Sequence, residues 1–362
     1  MALSRRDFLA ASGTASAAML VGGCSSGMSA YDEAAASLRA PLPTEPGLKD
    51  FVRYATLAPN SHNTQPWKFA LGRDSVTILP DLARRCPVVD PDDHHVFVTL
   101  GCAAENLQIA GNARGRPADV SVLPDGKATA IRVDLGRGPA TRRDLCDAIP
   151  LRQSTRSDYD GQPLPVEELR LLEQAARLPG VSTIFLTDRA RIKGVPEYVV
   201  AGNSIQCDDA AFVRELKQWI RFNPEAALAT NDGLFAACSG NPTSPDWIGN
   251  MMFGQFFSKD SENAKYTGHL ESSAGVAIFV ADRADEEGWV NVGRSFQRFA
   301  LQATALGVRH AHLNMPVEVA SVRGPFAKWL GIPDKRPDLV IRFGKAAALP
   351  MSLRRPVEEV LA

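Results

Sequence analysis

Paired cysteines are missing from this sequence. Six of its 362 residues are cysteine, and no two form a C-x-x-C motif, which argues against zinc-finger and thioredoxin-like centres. Five of the six follow residue 24, an odd number, and most are expected to be small buried side chains. One disulfide remains open, although no pair is indicated. The five are Cys86, Cys102, Cys146, Cys207 and Cys238.

The sequence also lacks an excess of charge and a membrane-spanning run. Its 40 Lys+Arg balance 41 Asp+Glu, which argues against nucleic acid as a partner. Past the N-terminus there is no run of about 20 apolar residues, so the mature chain is not expected to span a membrane. No P-loop, G-x-S-x-G or H-E-x-x-H motif occurs. Any difficult chemistry must therefore come from a bound cofactor.

The N-terminus has the order of parts of an export signal. Arg5 and Arg6 precede the weakly apolar run Ala10–Gly23, which is too short to span a bilayer. We predict a twin-arginine (Tat-type) signal over residues 1–24, recognised by the Tat translocase. Cys24 resembles a lipoprotein acceptor, so the protein would be exported, either periplasmic or anchored to the membrane by lipid. The alternative is a basic amphipathic helix.

Beyond the signal, the pattern predicts mixed helices and strands, among them a strand over Trp67–Leu71 and a buried strand over Gly275–Ala281, and hence an α+β fold. Residues 25–46 begin with Ser25-Ser26-Gly27, contain Pro41, Pro43 and Pro46, and are predicted to be a flexible tether. A first half covers residues 47–140 and a second half residues 141–362. Within the second half, residues 222–271 mix Gly, Asn, Pro and aromatics, which favours an inserted lid.

Two long predicted helices resemble copies of each other. Gly101–Gly115 and Gly293–Gly307 both begin and end on glycine, 192 residues apart, and share apolar positions such as Leu107 and Phe299. Two alanine-rich helices can match by chance. The alternative is a duplication, with two related halves packed as an intrachain pseudo-dimer.

The most specific segment is Ala58–Phe69, which sets amides and hydroxyls between two prolines, after a helix and before a strand. Such a loop suits a planar polar ligand, because its donors and acceptors are held with little backbone freedom. It could equally be an Asx-rich turn that satisfies its own backbone.

Two basic segments lie in the second half. Arg152, Ser154 and Arg156 place two guanidinium groups and a hydroxyl within five residues, as a phosphate clamp requires. A solvated basic turn is the alternative. Arg354 and Arg355 form another basic pair near the C-terminus.

In combination these motifs resemble a known family. A-P-x-S-x-N-x-Q-P-W, R-x-S-T-R and R-R-P-x-E-E-V, in this order, are similar to motifs of the FMN-dependent nitroreductases. The leader and the chain length resemble an Acg-like branch in which two such halves are fused. The resemblance implies a nitroreductase-like α+β fold and FMN as cofactor. It also implies a flavin whose N5 passes hydride or electrons to a nitro compound, a quinone or a similar acceptor.

The resemblance places the cofactor residues in both halves. Arg152, Ser154 and Arg156 would contact the FMN phosphate, with Arg354 or Arg355 as a further cation, and His312 would lie near the ring. The first half would line the flavin with Pro59, Asn60, Ser61, Asn63 and Gln65. Because neither half holds a full set, one composite site is expected in a pseudo-symmetric monomer.

No metal site is expected. His310 and His312 share a strand face, but no third ligand occurs at motif spacing. The electron donor is unidentified, because free NAD(P)H is not expected outside the cytoplasm. Two other functions remain open: a protein that sequesters flavin with little turnover, and a structural protein that has lost flavin.

Overall fold

Two four-stranded antiparallel sheets organise the chain in the computed structural model, which describes residues 27–124, 129–141 and 144–362. The predicted Tat-type signal and Cys24 lie outside the described residues. No disulfide joins the five cysteines of the described part. In that part no helix combines the length and apolar character needed to cross a bilayer.

The first sheet is formed by residues of the first half. Its strands stand in the order β1-β2-β4-β3, and Phe69 of β1 pairs with Ile78 of β2. Both side chains are fully buried, because alternate residues of these strands face the core. The strands are β1 (Trp67–Leu71), β2 (Ser75–Pro80), β3 (Ala118–Pro124) and β4 (Thr129–Leu135).

The second sheet is formed by residues of the second half, in the order β5-β8-β10-β9. Every residue of its central strands β8 and β10 is buried, which confirms the predicted buried strand over Gly275–Ala281. A short parallel pair, β6 and β7, lies apart from it. The strands are β5 (Val181–Leu186), β6 (Ile220–Arg221), β7 (Leu234–Phe235), β8 (Gly275–Ala281), β9 (Arg309–His312) and β10 (Leu339–Gly344).

Helices surround and separate the two sheets. Long α12 begins at the N-cap Asp285, whose carboxylate accepts a hydrogen bond from the Gly288 N–H. The helices are α1 (residues 27–38), α2 (Leu48–Thr56), α3 (His94–Ala113), α4 (Asp144–Ala148), α5 (Val166–Ala176), α6 (Arg189–Ile192), α7 (Val195–Asp208), α8 (Ala210–Gln218), α9 (Pro224–Thr230), α10 (Asp246–Phe256), α11 (Lys259–Glu271), α12 (Glu286–Ala305), α13 (Met315–Glu318), α14 (Ala320–Leu330) and α15 (Val357–Val360).

The two sheets share one plan. In each, a helix leads into two strands, a 20-residue helix follows, and two more strands complete the sheet in the same spatial order. Thus α2-β1-β2-α3-β3-β4 corresponds to α5-β5-β8-α12-β9-β10. This confirms an α+β fold with two related halves packed as an intrachain pseudo-dimer.

At the crossing of α3 and α12, the contacting residues show the same 192-residue offset as the two helix sequences. A Cβ on Gly101 would lie 2.0 Å from the Val290 carbonyl oxygen, and a Cβ on Gly293 would lie 1.9 Å from that of Val98. Val98 and Val290 are themselves 192 residues apart. Glycine is required at both positions because each helix touches the backbone of the other, and the contacts are reciprocal as in a two-fold dimer.

One hydrophobic core joins the halves. Phe51 and Leu107 of the first half belong to the same buried cluster as Phe279 and Phe299 of the second. The halves are therefore not separate globules, because each covers apolar surface of the other.

Two predicted boundaries need correction. Residues 27–38 of the predicted tether form helix α1, because Tyr31 is fully buried, packs on Phe235 and donates its hydroxyl to the Met351 carbonyl at 2.8 Å. The insertion also begins well before residue 222, since α6–α11 all lie between β5 and β8, where the first half has only a short turn. The predicted lid, residues 222–271, is the second part of this insertion.

Candidate functional site

The loop between α2 and β1 has an unusual backbone. Three of its non-glycine residues have positive φ: His62 at 46°, Asn63 at 55° and Gln65 at 58°. Such conformations are costly for L-residues and persist only where the surroundings hold them. Strain of this kind concentrates at binding sites, which points to the segment that the sequence singled out.

Distant parts of the chain hold this loop. The Asn63 amide donates to the Gly233 carbonyl at 3.1 Å and accepts from the Arg354 guanidinium at 2.9 Å. Gln65 accepts from the Arg355 backbone N–H at 2.8 Å and donates to the Asn231 carbonyl at 2.8 Å. Both amides, predicted to line the flavin, thus brace the loop with hydrogen bonds inside the protein.

Arg354 also has a structural role. Its guanidinium donates to the Thr56 and Ala58 carbonyls at the end of α2, at 2.5 and 3.1 Å, as well as to Asn63. Helix ends leave such carbonyls without partners, so Arg354 satisfies them. Burial lowers its pKa well below the usual range. Arg355 donates to the Glu359 carbonyl at 2.9 Å, and its buried Nη1 finds no partner among described residues.

Arg152 differs from Arg354. It is only 4% exposed and donates one hydrogen bond, from Nη2 to the Leu57 carbonyl at 2.9 Å. Its Nε and Nη1 are buried without a hydrogen-bond partner in the described structure. Burial lowers its pKa to about 10, which leaves the guanidinium charged at neutral pH.

The segment that begins with Arg152 lies along the edge of the second sheet. Ser154 pairs with His310 in a parallel bridge, and the Thr155 N–H donates to the His310 carbonyl at 2.9 Å. This pairing fixes Ser154 and Arg156 beside β9. Neither side chain makes a hydrogen bond or ion pair with the part of the chain that the structure describes, so both are free to bind a ligand.

Neutral histidines of both halves lie within electrostatic range of Arg156. Burial, and next the positive charge of Arg156, lower the pKa of His62 to about 4 and that of His312 to about 3. His310 is 1% exposed, and both its ring nitrogens lack partners among described residues. Because His62 belongs to the first half and His312 to the second, Arg156 lies within electrostatic range of both halves.

Two residues near this site were not predicted from the sequence. His62 stands inside the loop motif, between two predicted residues, and its position there could have identified it. Arg39 comes directly after α1, where a tether was expected, and its guanidinium donates to the Ser352 carbonyl at 2.8 Å. No pattern in the sequence places Arg39 near the site.

Arg152 and Arg354 are buried, and Arg39 is half-buried. Within the described ranges, no carboxylate forms an ion pair with Arg39, Arg152 or Arg354. Burying a charged group without a counter-charge costs on the order of several kcal/mol per ion, because the ion loses its hydration. Arg152, with two unpaired donors, is therefore suited to an anionic group such as a phosphate.

A second polar cluster has a structural role. Ligand atoms of Asp90, His94 and His95 lie within 4.8 Å of one another and are buried. However, Asp90 accepts the backbone N–H groups of His95 and Val96 at the start of α3, and His94 Nε2 lies 2.8 Å from Asp338. The cluster caps a helix and links it to the second sheet.

Comparisons with known proteins agree with the motifs. No family model matches the chain. "Putative NAD(P)H nitroreductase Rv3131" of Mycobacterium tuberculosis is 25% identical over 339 residues, covering 90% of this chain and 94% of the relative. "Putative NAD(P)H nitroreductase acg" of the same species is 24% identical over 334 residues, covering 86% of this chain and 94% of the relative.

Solved nitroreductases match a smaller part of the chain. One with bound FMN from Bacteroides fragilis has a TM-score of 0.37 and 15% identity, covering 57% of this chain and 90% of the other. NfnB from Mycobacterium smegmatis, in complex with NADPH, has a TM-score of 0.38 and 14% identity, covering 56% and 88%. Over nearly its full length, the chain is thus similar to proteins named as nitroreductases, the family that its motifs resemble.

Proposed function

We propose that this protein is an FMN-dependent oxidoreductase of the nitroreductase type. It would pass electrons to a small-molecule acceptor such as a nitro compound or a quinone. One observation carries the proposal: Arg152 is a buried, charged guanidinium whose two unpaired donors face no carboxylate in the described structure. The names of the relatives support the same function.

The residues present fit FMN. Arg152 would bind its phosphate through Nε and Nη1, as a guanidinium suits phosphate oxygens. Ser154 would add a hydroxyl and Arg156 a second cation. Bound FMN would supply the hydride or electron transfer, which protein side chains cannot.

The first half would approach the flavin through its strained loop. Pro59 and Asn60 shape the start of the loop, and the Asn60 amide oxygen accepts from the Gln65 N–H at 2.8 Å. The Ser61 hydroxyl makes no hydrogen bond in the described chain and is available to a ligand. Asn63 and Gln65 keep the loop in place, and Arg354 and Arg355 fasten it to the second half.

His310 and His312 add polar groups without adding charge. Burial lowers the pKa of both, so each imidazole is neutral at neutral pH and holds one proton on one ring nitrogen. A neutral ring can donate a hydrogen bond to a polar ligand without repelling Arg152 and Arg156. This would keep the positive charge of the site on the arginines.

Export and electron supply belong to the same proposal. Residues 1–24 would direct the protein through the Tat route, as a pseudo-symmetric monomer that is periplasmic or anchored at Cys24. NAD(P)H is the donor that the relatives' names suggest. Outside the cytoplasm another reductant would be needed.

A flavin-sequestering protein with little turnover is the second candidate. The observation that favours it is the fastening of the loop by the insertion: Asn231 and Gly233 accept hydrogen bonds from Gln65 and Asn63. An insertion bonded to the loop would slow the exchange of ligands at the site.

Titration of FMN and riboflavin tests the proposal, because riboflavin lacks the phosphate. Arg152→Ala and Arg156→Ala should each weaken FMN binding by roughly tenfold to a hundredfold, since a charge-assisted contact contributes about 1.5–3 kcal/mol. Riboflavin binding should change little. Arg170→Ala is the matched control, because Arg170 is exposed and pairs only with Glu167. Equal losses for both ligands would contradict the phosphate assignment.

Reduction of the holoprotein separates the two candidates. An enzyme should lose its yellow colour with NADPH or another biological reductant and regain it with a nitro or quinone acceptor. Bleaching by dithionite alone, without reoxidation by any acceptor, would favour sequestration.

A further inference from the structure

Helix α10 carries an exposed apolar surface. Trp247 is 70% exposed and Phe256 is 65% exposed, with Met251 at 49% and Met252 at 40%. Exposed apolar residues are ordinary when they are scattered, but a cluster on one helix marks an interaction surface. Asp246 is the one charged residue of this helix.

Few contacts hold α10 on the protein. Gly249 is its one buried residue, packed against Phe222, where an added Cβ would lie 2.3 Å from the ring. Phe253 stacks on Phe257 with ring centroids 4.6 Å apart. The helix is therefore far more apolar than its contacts with the rest of the protein require.

The described chain begins beside α9, whose N-cap is hydrogen-bonded to the first residue of α10. A Cβ on Gly27 would lie 2.4 Å from Glu225 Oε1 and 3.5 Å from Pro224, at the start of α9. The N-cap of α9, Asn223, donates from its amide to Asp246 of α10 at 2.7 Å. The apolar run Ala10–Gly23 thus joins the fold close to the first residues of α10.

The distance available to the chain is short. Three peptide steps separate Cys24 from Gly27, and an extended chain covers at most about 10 Å in three residues. A membrane anchor at the N-terminus would hold α10 against the bilayer, whether the anchor were the apolar run or a lipid on Cys24. In both cases, the same face of the fold would meet the membrane surface.

We propose that the exposed face of α10 (Trp247, Met251, Met252 and Phe256) contacts a lipid bilayer. Helices with Trp and Phe on an apolar face lie in the interfacial layer of membranes, where tryptophan is favoured. With a single charge on the helix, this contact depends on apolar burial, so added salt should weaken it little. The proposal is independent of flavin chemistry.

A fluorescent label on α10 tests the contact directly. In the full chain with Cys24→Ser and Cys207→Ser, the variant Met251→Cys is labelled with an environment-sensitive dye. Val166→Cys is the matched control, because Val166 is 84% exposed and lies on α5, outside the insertion. Vesicles of phosphatidylethanolamine and phosphatidylglycerol should shift the emission of the label at position 251 to the blue and leave position 166 unchanged.

Other responses of the label would overturn the proposal. A blue shift at position 251 that depends on protein concentration without vesicles would assign the face to a second copy of the chain. A shift on adding FMN alone would assign it to the protein's own site. No shift at either position would show that α10 stays in water.

Vesicle flotation provides the second measurement. The triple variant Trp247→Ser, Met251→Ser and Phe256→Ser should lower partitioning of the full chain into vesicles by at least about tenfold, through loss of apolar burial. Its melting temperature and FMN content should match the unmodified chain, because the three side chains are exposed. Unchanged partitioning would show that the N-terminal segment alone carries the membrane contact.

Discussion

The two halves share one plan but differ in chemistry. The first half contributes the strained loop with His62, Asn63 and Gln65, whereas the second contributes Arg152, Arg156 and the long insertion. The strand order is the same on both sides, while the groups proposed to bind FMN are divided between them. Fold and proposed site thus follow different constraints: packing requires both halves to keep their elements, whereas the proposed site would need a contribution from each.

The interface between the long helices shows the same division. Glu105 of α3 is buried and accepts from Arg294 at 2.9 Å and also from Arg298, both on α12. The equivalent of Glu105, 192 residues later, is Gln297, which donates to Asn106 at 2.6 Å. The glycine contacts at the crossing are reciprocal, but the charged contacts are not. Each half is therefore specialised for its partner.

The largest effect is expected at the glycine crossing. Gly101→Ala and Gly293→Ala should each lower the free energy of unfolding by about 3 kcal/mol or more, because each new Cβ meets a carbonyl backbone that cannot move away. If the halves are equivalent in packing, the two losses should be similar. Urea unfolding measures both.

The matched control is Gly268→Ala in α11, where an added Cβ meets no atom within 4 Å. Alanine there should be neutral or should stabilise by up to about 1 kcal/mol through helix propensity. A tolerated alanine at only one crossing glycine would break the equivalence of the halves.

Loss of the hydrogen bonds between the loop and the second half should give the next largest effect. Gln65→Ala removes the acceptor of the Arg355 N–H and the donor to Asn231, and should cost about 1–3 kcal/mol. Gln162→Ala, at an exposed position, should change stability within about 0.5 kcal/mol. If Gln65→Ala left stability unchanged while FMN binding fell, Gln65 would be a ligand-contacting residue instead.

The number of flavins bound per chain tests whether the division of the proposed binding groups between the halves leaves a single site. Heat should release one FMN per chain, because the second half has no counterpart of the strained loop and the first has none of Arg152–Arg156. Absorbance of the released flavin, set against protein determined by amino-acid analysis, gives the ratio. Two flavins per chain would show that each half binds its own.

The smallest effect is expected on the imidazole pKa values of two histidines. Arg156→Gln should raise the imidazole pKa of both His62 and His312, each part of the way to its ordinary value, because burial remains the larger cause. Histidine NMR titration measures this, with His62→Gln to assign one signal. If the pKa of only one of the two histidines rose, the charge of Arg156 would act on one half alone.

The same histidines predict a dependence of stability on pH. An unfolded histidine binds its proton near pH 6.5, but the folded protein holds His62 neutral down to about pH 4 and His312 down to about pH 3. The unfolded state therefore binds more protons in this window, and stability should fall as the pH drops from 6.5 toward 4. Arg156→Gln should make this fall less steep.

Local patterns predicted the fold well. The 192-residue offset, read from apolar matches between two helices, appears in the structure as the contacts of Gly101 with Val290 and of Gly293 with Val98. Strands β1 and β8 were predicted with their observed bounds. The periodicity of apolar residues was sufficient here, because the residues that form the buried face of a helix or strand all lie within that element.

Contacts between distant residues were not predictable. The local sequence predicts a tether where helix α1 forms, because Tyr31 packs on Phe235 and bonds to Met351, about 200 and 320 residues away. Asn63 and Arg354 were assigned to the flavin, and nothing local shows that they bind each other. Whether the remaining assigned residues contact FMN stays a prediction for the titrations above.

The pairing of Arg354 with the loop also affects the time course of biosynthesis. Its partners Asn63 and Thr56 precede it by 291 and 298 residues. At 5–20 residues per second, a ribosome needs roughly 15–60 s to add that much chain. During that interval the loop of the nascent first half lacks its fastening arginine, and the unfinished polypeptide is open to chaperones and proteases.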